Sequence, residues 1–132
     1  MTTDDEFLRA FFDLRLPSSE FHHRDHLRLA WLAVRRHNAG TAEQVVTQGI
    51  QRFAEHHSHG PAYHDTMTRF WVRLVAHAVS DHPEIVDFED FLAAYPLLLD
   101  KNVPLRHWST EAMFAPDARA AWREPDLVVL PF

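Results

Sequence analysis

The sequence contains no cysteine, and this absence excludes several kinds of chemistry. Disulfides, thiolate zinc sites, iron–sulfur clusters held by cysteine and cysteine nucleophiles all require a residue that the chain lacks. Any metal bound to this chain must therefore have nitrogen and oxygen ligands.

Basic charge is also scarce. The chain has 13 lysine and arginine residues against 19 aspartate and glutamate residues, so its formal net charge is -6 with every histidine neutral. A protein that binds a nucleic-acid backbone normally presents an extended basic surface. We therefore predict that nucleic acid is not a partner.

Long apolar runs are missing as well. No uninterrupted apolar stretch approaches the roughly 20 residues that a membrane-spanning helix needs. The first seven residues are acidic and polar, unlike the basic and then apolar start of a secretory signal. These features predict a soluble, cytoplasmic protein with no membrane partner.

The residues that are present favour a helical fold. With 132 residues, of which 46% are hydrophobic and 12% aromatic, the chain has enough apolar material for the core of a single domain over residues 1–132. Apolar residues recur at spacings of three and four, and no stretch alternates for long enough to indicate a strand. We predict an all-α, compact bundle of five or six helices with an extended tail from Pro125 to Phe132.

Capping signals and chain breakers give approximate bounds for these helices. Thr3 and Glu6 have the spacing of a capping box, as do Thr41 and Gln44, and Asp87 is a suitable N-cap. The expected helices run from Thr3 to Leu14, from about Arg24 to His37, from Thr41 to His57, from Tyr63 to His82 and from Asp87 to Tyr95, with shorter helices near Thr110–Phe114 and Pro116–Trp122.

Eleven histidines are the most unusual feature of the composition. Most of them are expected at helix ends or in loops, without a specific role. That group includes His37, His56, His57, His59 and His82.

Three other histidines lie within five residues at the start of the second predicted helix. His22 and His26 are spaced by four, and His23 and His26 by three, so either pair could direct two rings at one ligand. The spacing does not choose between the two pairs. The glutamate base of the zincin motif is missing, so that class of metalloprotease is not supported.

His64 opens the other helix with a strong apolar stripe, and two such helices usually pack together. The three side chains His23, His26 and His64 could then converge on one cavity and bind one divalent transition metal, leaving a coordination position open. Zinc, iron, copper and nickel all suit such ligands. Asp65 could orient a ring or move a proton.

Two other functions use the same residues differently or not at all. Without a metal, His64 could transfer a proton while Asp65 or Asp25 fixes its tautomer, in a small-molecule binding protein or an acid–base enzyme. Thr68 lies one helical turn beyond His64 and could line the pocket. The third class is a helical module that binds another protein.

Three groups of residues resemble a family of small helical bacterial proteins to which no activity is assigned. The first is Phe21-x-His23-x-x-His26-Leu27, and the second is Tyr63-His64-Asp65-Thr66-x-Thr68. The third, near the end of the chain, comprises Ser109, Ala118-Arg119, Pro125-Asp126-Leu127 and Leu130-Pro131. Together they span most of the chain.

The resemblance implies a choice of residues and no particular reaction or metal. It favours His23 over His22 as the partner of His26, because the position of His22 varies among the relatives. It adds Arg119 as an anion contact or a link to the tail. Relatives usually carry glutamate at the position of Asp65, and this shorter carboxylate favours an orienting role over direct metal ligation.

The leading prediction is therefore a metal-dependent enzyme that acts on a small organic molecule. His23, His26 and His64 are the predicted metal ligands. Asp65, Thr68 and Arg119 are the predicted catalytic residues. The substrate, the reaction and the oligomeric state do not follow from the sequence.

Overall fold

The computed structural model describes residues 2–132, and every regular element in that range is helical. This confirms the all-α prediction. Among these residues no helix has the length and apolar character needed to cross a membrane. The helices are α1 (Asp4–Phe12), α2 (His23–Arg36), α3 (Ala39–His56), α4 (Asp65–Asp81), α5 (Phe88–Ala94), α6 (Thr110–Met113) and α7 (Pro116–Ala120), with short 3-10 helices at Ser18–Glu20, Gly60–Ala62, Pro96–Leu99 and Val103–Arg106.

Helix α1 begins as the sequence predicts and ends slightly earlier. The Thr3 Oγ1 accepts a hydrogen bond from the Glu6 backbone N–H at 3.1 Å, which satisfies one of the free donors of the first turn. The helix ends at Phe12 instead of Leu14, because Leu14 has a φ of 62°. A leucine in this left-handed region cannot continue a right-handed helix.

The boundary between α2 and α3 differs from the prediction. The sequence predicts that the second helix ends at His37 and that Thr41 caps the third. In the structure Asn38 is itself the N-cap of α3, and its side-chain oxygen accepts from the Thr41 N–H at 2.8 Å. Asparagine is favoured both after a helix and at an N-cap, so the local sequence fits both roles.

Helices α2, α3 and α4 pack against one another and form the centre of the molecule. Their apolar stripes supply much of the core, as the spacing of three and four predicts. Burial of a large apolar side chain contributes about 1.5–3 kcal/mol each. The largest side chains with almost no exposed surface are Trp31, Trp108, Phe11, Phe70 and Phe91.

After α7 the chain continues to Phe132 without helix or strand, and side chains from earlier helices hold it in place. The Thr66 hydroxyl donates to the Ala121 carbonyl at 2.9 Å and accepts from the Arg123 N–H at 3.0 Å. The Asp126 carboxylate accepts from both the N–H and the hydroxyl of Ser109, at 2.7 and 2.6 Å. The two short helices predicted near Thr110–Phe114 and Pro116–Trp122 are α6 and α7, so the described residues contain seven α-helices.

Candidate functional site

A cavity of about 480 Å³ lies between α2, α3 and α4. This volume falls within the range of pockets that hold small organic ligands. Aromatic and aliphatic side chains form most of its wall. The apolar lining consists of Phe21, Ala30, Val46, Ile50, Phe53, Ala54, Ala62, Met67, Trp71 and Val72, and the polar lining of Ser18, His23, His26, His57, His59, Tyr63, His64, Thr68 and Lys101.

All three predicted metal ligands line this cavity. His23 and His26 extend from the first turns of α2, and His64 is the N-cap of α4. The two helix starts therefore meet at one place. The three rings nevertheless have very different hydrogen-bonding partners.

The His23 ring is partly engaged by the protein. Its Nε2–H donates to the Leu98 carbonyl at 2.8 Å, so Nδ1 is the unprotonated nitrogen of the neutral ring. Burial lowers the pKa of His23; the bond to Leu98 opposes that effect, and the ammonium of Lys101 adds to it. The ring also meets Trp71 edge-on, with centroids 4.6 Å apart.

The His26 ring is held by packing alone. It stacks on Phe21 with centroids 4.0 Å apart, and among residues 2–132 neither of its nitrogens has a hydrogen-bond partner. Burial, reinforced by the neighbouring His23, lowers the pKa of His26 to about 4. His26 is therefore neutral at pH 7 and brings one free donor and one free acceptor to the cavity.

The His64 ring is fully engaged. Its Nδ1 accepts from the Met67 N–H at 3.1 Å and so caps α4, while its Nε2–H donates to the Met113 carbonyl at 2.6 Å. Burial is the main reason that the pKa of His64 lies below its ordinary value. In this arrangement His64 joins α4 to α6 and has no lone pair left for a metal.

Asp65 is absent from the cavity lining and faces a partly buried group of charges. Its carboxylate accepts from the Tyr63 hydroxyl at 2.8 Å and from Arg69 Nε at 2.7 Å. Burial and the Asp65 carboxylate raise the pKa of Tyr63. Arg69 also lies 3.5 Å from Glu43. Asp65 thus holds two side chains in place and makes no hydrogen bond to the His64 ring.

Thr68 and Arg119 occupy different surroundings. Thr68 lines the cavity, but its hydroxyl donates to the His64 carbonyl at 2.8 Å, so only its oxygen lone pairs remain for a ligand. Arg119 is half-buried on α7 outside the cavity lining, and its charge contributes to the low pKa of His64.

The polar lining also contains residues that the sequence interpretation did not assign to the site, among them His57, His59 and Lys101. His57 and His59 were expected to have no specific role. They follow α3, and the connection to α4 is short, so they line the same cavity as His64. His57 Nε2–H donates to the Leu16 carbonyl at 3.1 Å. The short interval between His57 and His64 was the signal that could have identified them.

The predicted site with three histidine ligands is not assembled in the described residues. Within residues 2–132, no three or more histidine, aspartate or glutamate side chains are gathered so that they could hold one metal ion. The physical reason is visible at His64, whose two nitrogens are committed to Met67 and Met113. A site with three histidine ligands would require His64 to give up one of these two bonds, for example the one that its Nδ1 accepts from Met67.

The charge of the cavity differs in sign from that of the whole chain. The chain is acidic overall, yet the lining contains neither aspartate nor glutamate, and its one permanently charged group is the exposed Lys101. The cavity therefore offers hydrogen-bond donors, neutral imidazoles and one cation, beside a large apolar surface.

Comparison of the chain with protein-family models, with curated proteins and with solved structures gives no match.

Proposed function

We propose that this protein binds a small organic molecule in the cavity between α2, α3 and α4 without a metal, and that His26 is the group that bonds to or exchanges a proton with this molecule. The observation that carries the proposal is the free imidazole of His26 in a cavity otherwise lined mainly by apolar side chains. A polar group without a protein partner is normally satisfied by water or by a ligand, and the partly exposed His26 ring can be reached by either from the cavity.

The hydrogen bonds support His26 over the other two predicted ligands. His64 stabilises the start of α4 and contacts α6, while His23 has one free nitrogen. Among the three rings only His26 has both nitrogens available, so it can accept a proton from a ligand at one nitrogen and donate at the other without losing a bond to the protein. A neutral His26 is also in the correct state to act as a base at pH 7.

The metal-dependent enzyme is the second candidate. It is supported by the spacing of three between His23 and His26, whose rings line the same cavity, and by the free Nδ1 of His23. In this version the metal would have two imidazole ligands and would take its others from the substrate or from water. Chelators separate the two candidates, because they abolish only metal-dependent binding.

The test is a fluorine-NMR screen of small organic molecules against tag-free protein in EDTA. We expect cavity ligands whose affinity falls at least about tenfold, or 1.4 kcal/mol, in both His26→Ala and Ala54→Phe. The second change adds bulk to the wall on α3 and leaves the imidazoles intact. His37→Ala is the matched control, since His37 is exposed and outside this cavity.

Two outcomes would contradict the proposal. Ligands that bind equally to wild type, His26→Ala and Ala54→Phe would bind elsewhere. Ligands that bind only after zinc, iron, copper or nickel is added, and that EDTA removes, would favour the metal-dependent candidate.

A further inference from the structure

We propose that the ligand of this cavity is a ring-bearing organic monocarboxylate, with its rings among Phe21, Phe53 and Trp71 and its carboxylate on the side of Lys101 and His23. This inference rests on the proposed function, since it names the class of molecule that the same cavity binds. Three separate features support it: the charge of the lining, the kind of cation present and the shape of the apolar wall.

The charge of the lining favours an anion. A cationic ligand would meet Lys101 and would find no carboxylate in the cavity wall to compensate its charge. A charge removed from water without a partner is strongly disfavoured. A ligand carboxylate would instead gain the Lys101 ammonium, and the N–H groups of neutral imidazoles could donate to it.

Lys101 is the only lysine in the chain, and it lies where it can act on a bound anion. The residue is exposed, lines the cavity and is close enough to His23 for its charge to affect that ring. The position therefore combines solvent access with electrostatic contact to the polar side of the cavity. His26 lies one helical turn after His23 on α2 and lines the same cavity, so a ligand whose carboxylate lies near His23 would also be close to His26.

The nature of this cation favours a monocarboxylate over a phosphate. The lining contains no arginine, and arginine is the residue whose planar fork matches two oxygens of a phosphate. A single ammonium can balance one negative charge, whereas a phosphate dianion would keep a charge without a partner.

The apolar wall favours flat rings. Phe21 and Phe53 lie 4.9 Å apart in a tilted pair, and His26 stacks on Phe21. On the other side Trp71 meets His23 edge-on. Aromatic pairs are most favourable at such centroid separations, in stacked or edge-to-face arrangements. A cavity of about 480 Å³ has room for roughly one or two rings between these walls.

The test uses matched compounds that share a ring and differ in charge: indole-3-acetate, indole-3-acetamide and tryptamine, together with the phenyl and naphthyl homologues of each. Affinities are measured by calorimetry at pH 7 and in EDTA. We expect the acid to bind at least about tenfold more tightly than its amide, and the amine to bind most weakly. Added salt should weaken the acid more than the amide.

Lys101→Gln provides the matched variant. It should reduce the affinity for the acid to that for the amide and leave the affinity for the amide unchanged. Arg106→Gln removes one exposed positive charge nearby, at a residue that lies outside the cavity lining, and should leave the preference for the acid intact.

Several results would overturn the inference. They are equal binding of acid and amide, a preference for the amine, an undiminished preference for the acid in Lys101→Gln, and no binding by any member of the three ring series. None of these results decides the proposed function, which the fluorine-NMR screen tests separately. If that screen finds a ligand whose binding in EDTA is weakened by His26→Ala and Ala54→Phe, the cavity binds a small molecule without a metal, but one of another chemical class.

Discussion

The starts of α2 and α4 meet at the same cavity, and each presents histidine to it, but the two starts are built in opposite ways. At α4 every polar atom of the His64 ring has a protein partner, and the neighbouring Asp65 is bonded as well. At α2 the His26 ring has none, and only stacking on Phe21 holds it.

This difference shows that a histidine is assigned its role by its partners and not by its position on a helix. His64 stabilises the fold because a donor and an acceptor of the backbone lie on either side of it. His26 is available to a ligand because no such groups lie near it. Substitutions at the two starts should therefore affect different properties, stability at α4 and binding at α2.

The largest expected effect is at His64. His64→Ala removes the N-cap of α4 and leaves the Met113 carbonyl without its partner, so the free energy of unfolding should fall by about 2–4 kcal/mol. His26→Ala should cost less than about 1 kcal/mol, because only packing is lost. Urea denaturation of both variants measures the contrast.

His64→Asn is the control that separates the two contributions of His64. Asparagine is a good N-cap but cannot reach Met113 in the same way, so about half of the lost stability should return. Equal destabilisation by His26→Ala and His64→Ala would show that the two helix starts do not differ as described.

The second effect concerns Asp65. Asp65→Asn leaves Arg69 and Tyr63 without their charged acceptor, so the free energy of unfolding should fall by about 1–3 kcal/mol. Because Asp65 does not face the cavity, the affinity for a cavity ligand should change less than twofold. Calorimetry and urea denaturation of the same sample give both quantities. A large loss of affinity with unchanged stability would show that Asp65 acts on the ligand, as the sequence analysis predicts.

The third effect is a pH dependence from His26. Its pKa of about 4 in the folded protein lies below the ordinary value of 6.5. Between these values the unfolded chain binds the extra proton and the folded protein does not, so stability falls as the pH falls from about 6.5 to about 4. The contribution of this residue is at most about 3 kcal/mol.

The pH dependence is measured by urea denaturation of wild type and His26→Gln at several pH values. Glutamine does not titrate, so part of the loss of stability below pH 6.5 should disappear in this variant. Ring NMR signals of His26 that titrate near 6.5 would contradict the account.

The smallest effect is at Thr68. Thr68→Val removes the hydroxyl that donates to the His64 carbonyl, but the Thr68 backbone N–H still donates to the same oxygen at 3.0 Å. The stability loss should therefore stay below about 1 kcal/mol. A change in ligand affinity beyond about threefold would show that a ligand contacts the Thr68 oxygen, and competition binding with wild type would measure it.

The helices, and the meeting of two of them, could be predicted from local sequence. Thr3 and Asp87 cap their helices as expected, because a cap depends on residues three positions apart. The convergence of α2 and α4 follows from their apolar stripes, since each stripe must be covered by another element.

The hydrogen bonds of the site could not be predicted in the same way. The carbonyls that engage His23 and His64 belong to residues 75 and 49 positions further along the chain. No local pattern encodes such pairings, because they depend on where Leu98 and Met113 are placed by the packed fold. The roles predicted for Arg119 and for a metal likewise depend on the three-dimensional positions of residues that are distant in sequence. They stay predictions.

The most direct test of the difference between the two helix starts is the side-chain nitrogen NMR spectrum of the histidines, recorded before and after an equimolar amount of zinc is added to tag-free protein. The account predicts that His64 shows a protonated Nε2 and an accepting Nδ1, and that its signals do not move. Simultaneous shifts of His23, His26 and His64 to metal-bound values would contradict it, because all three rings would then be free to bind one ion.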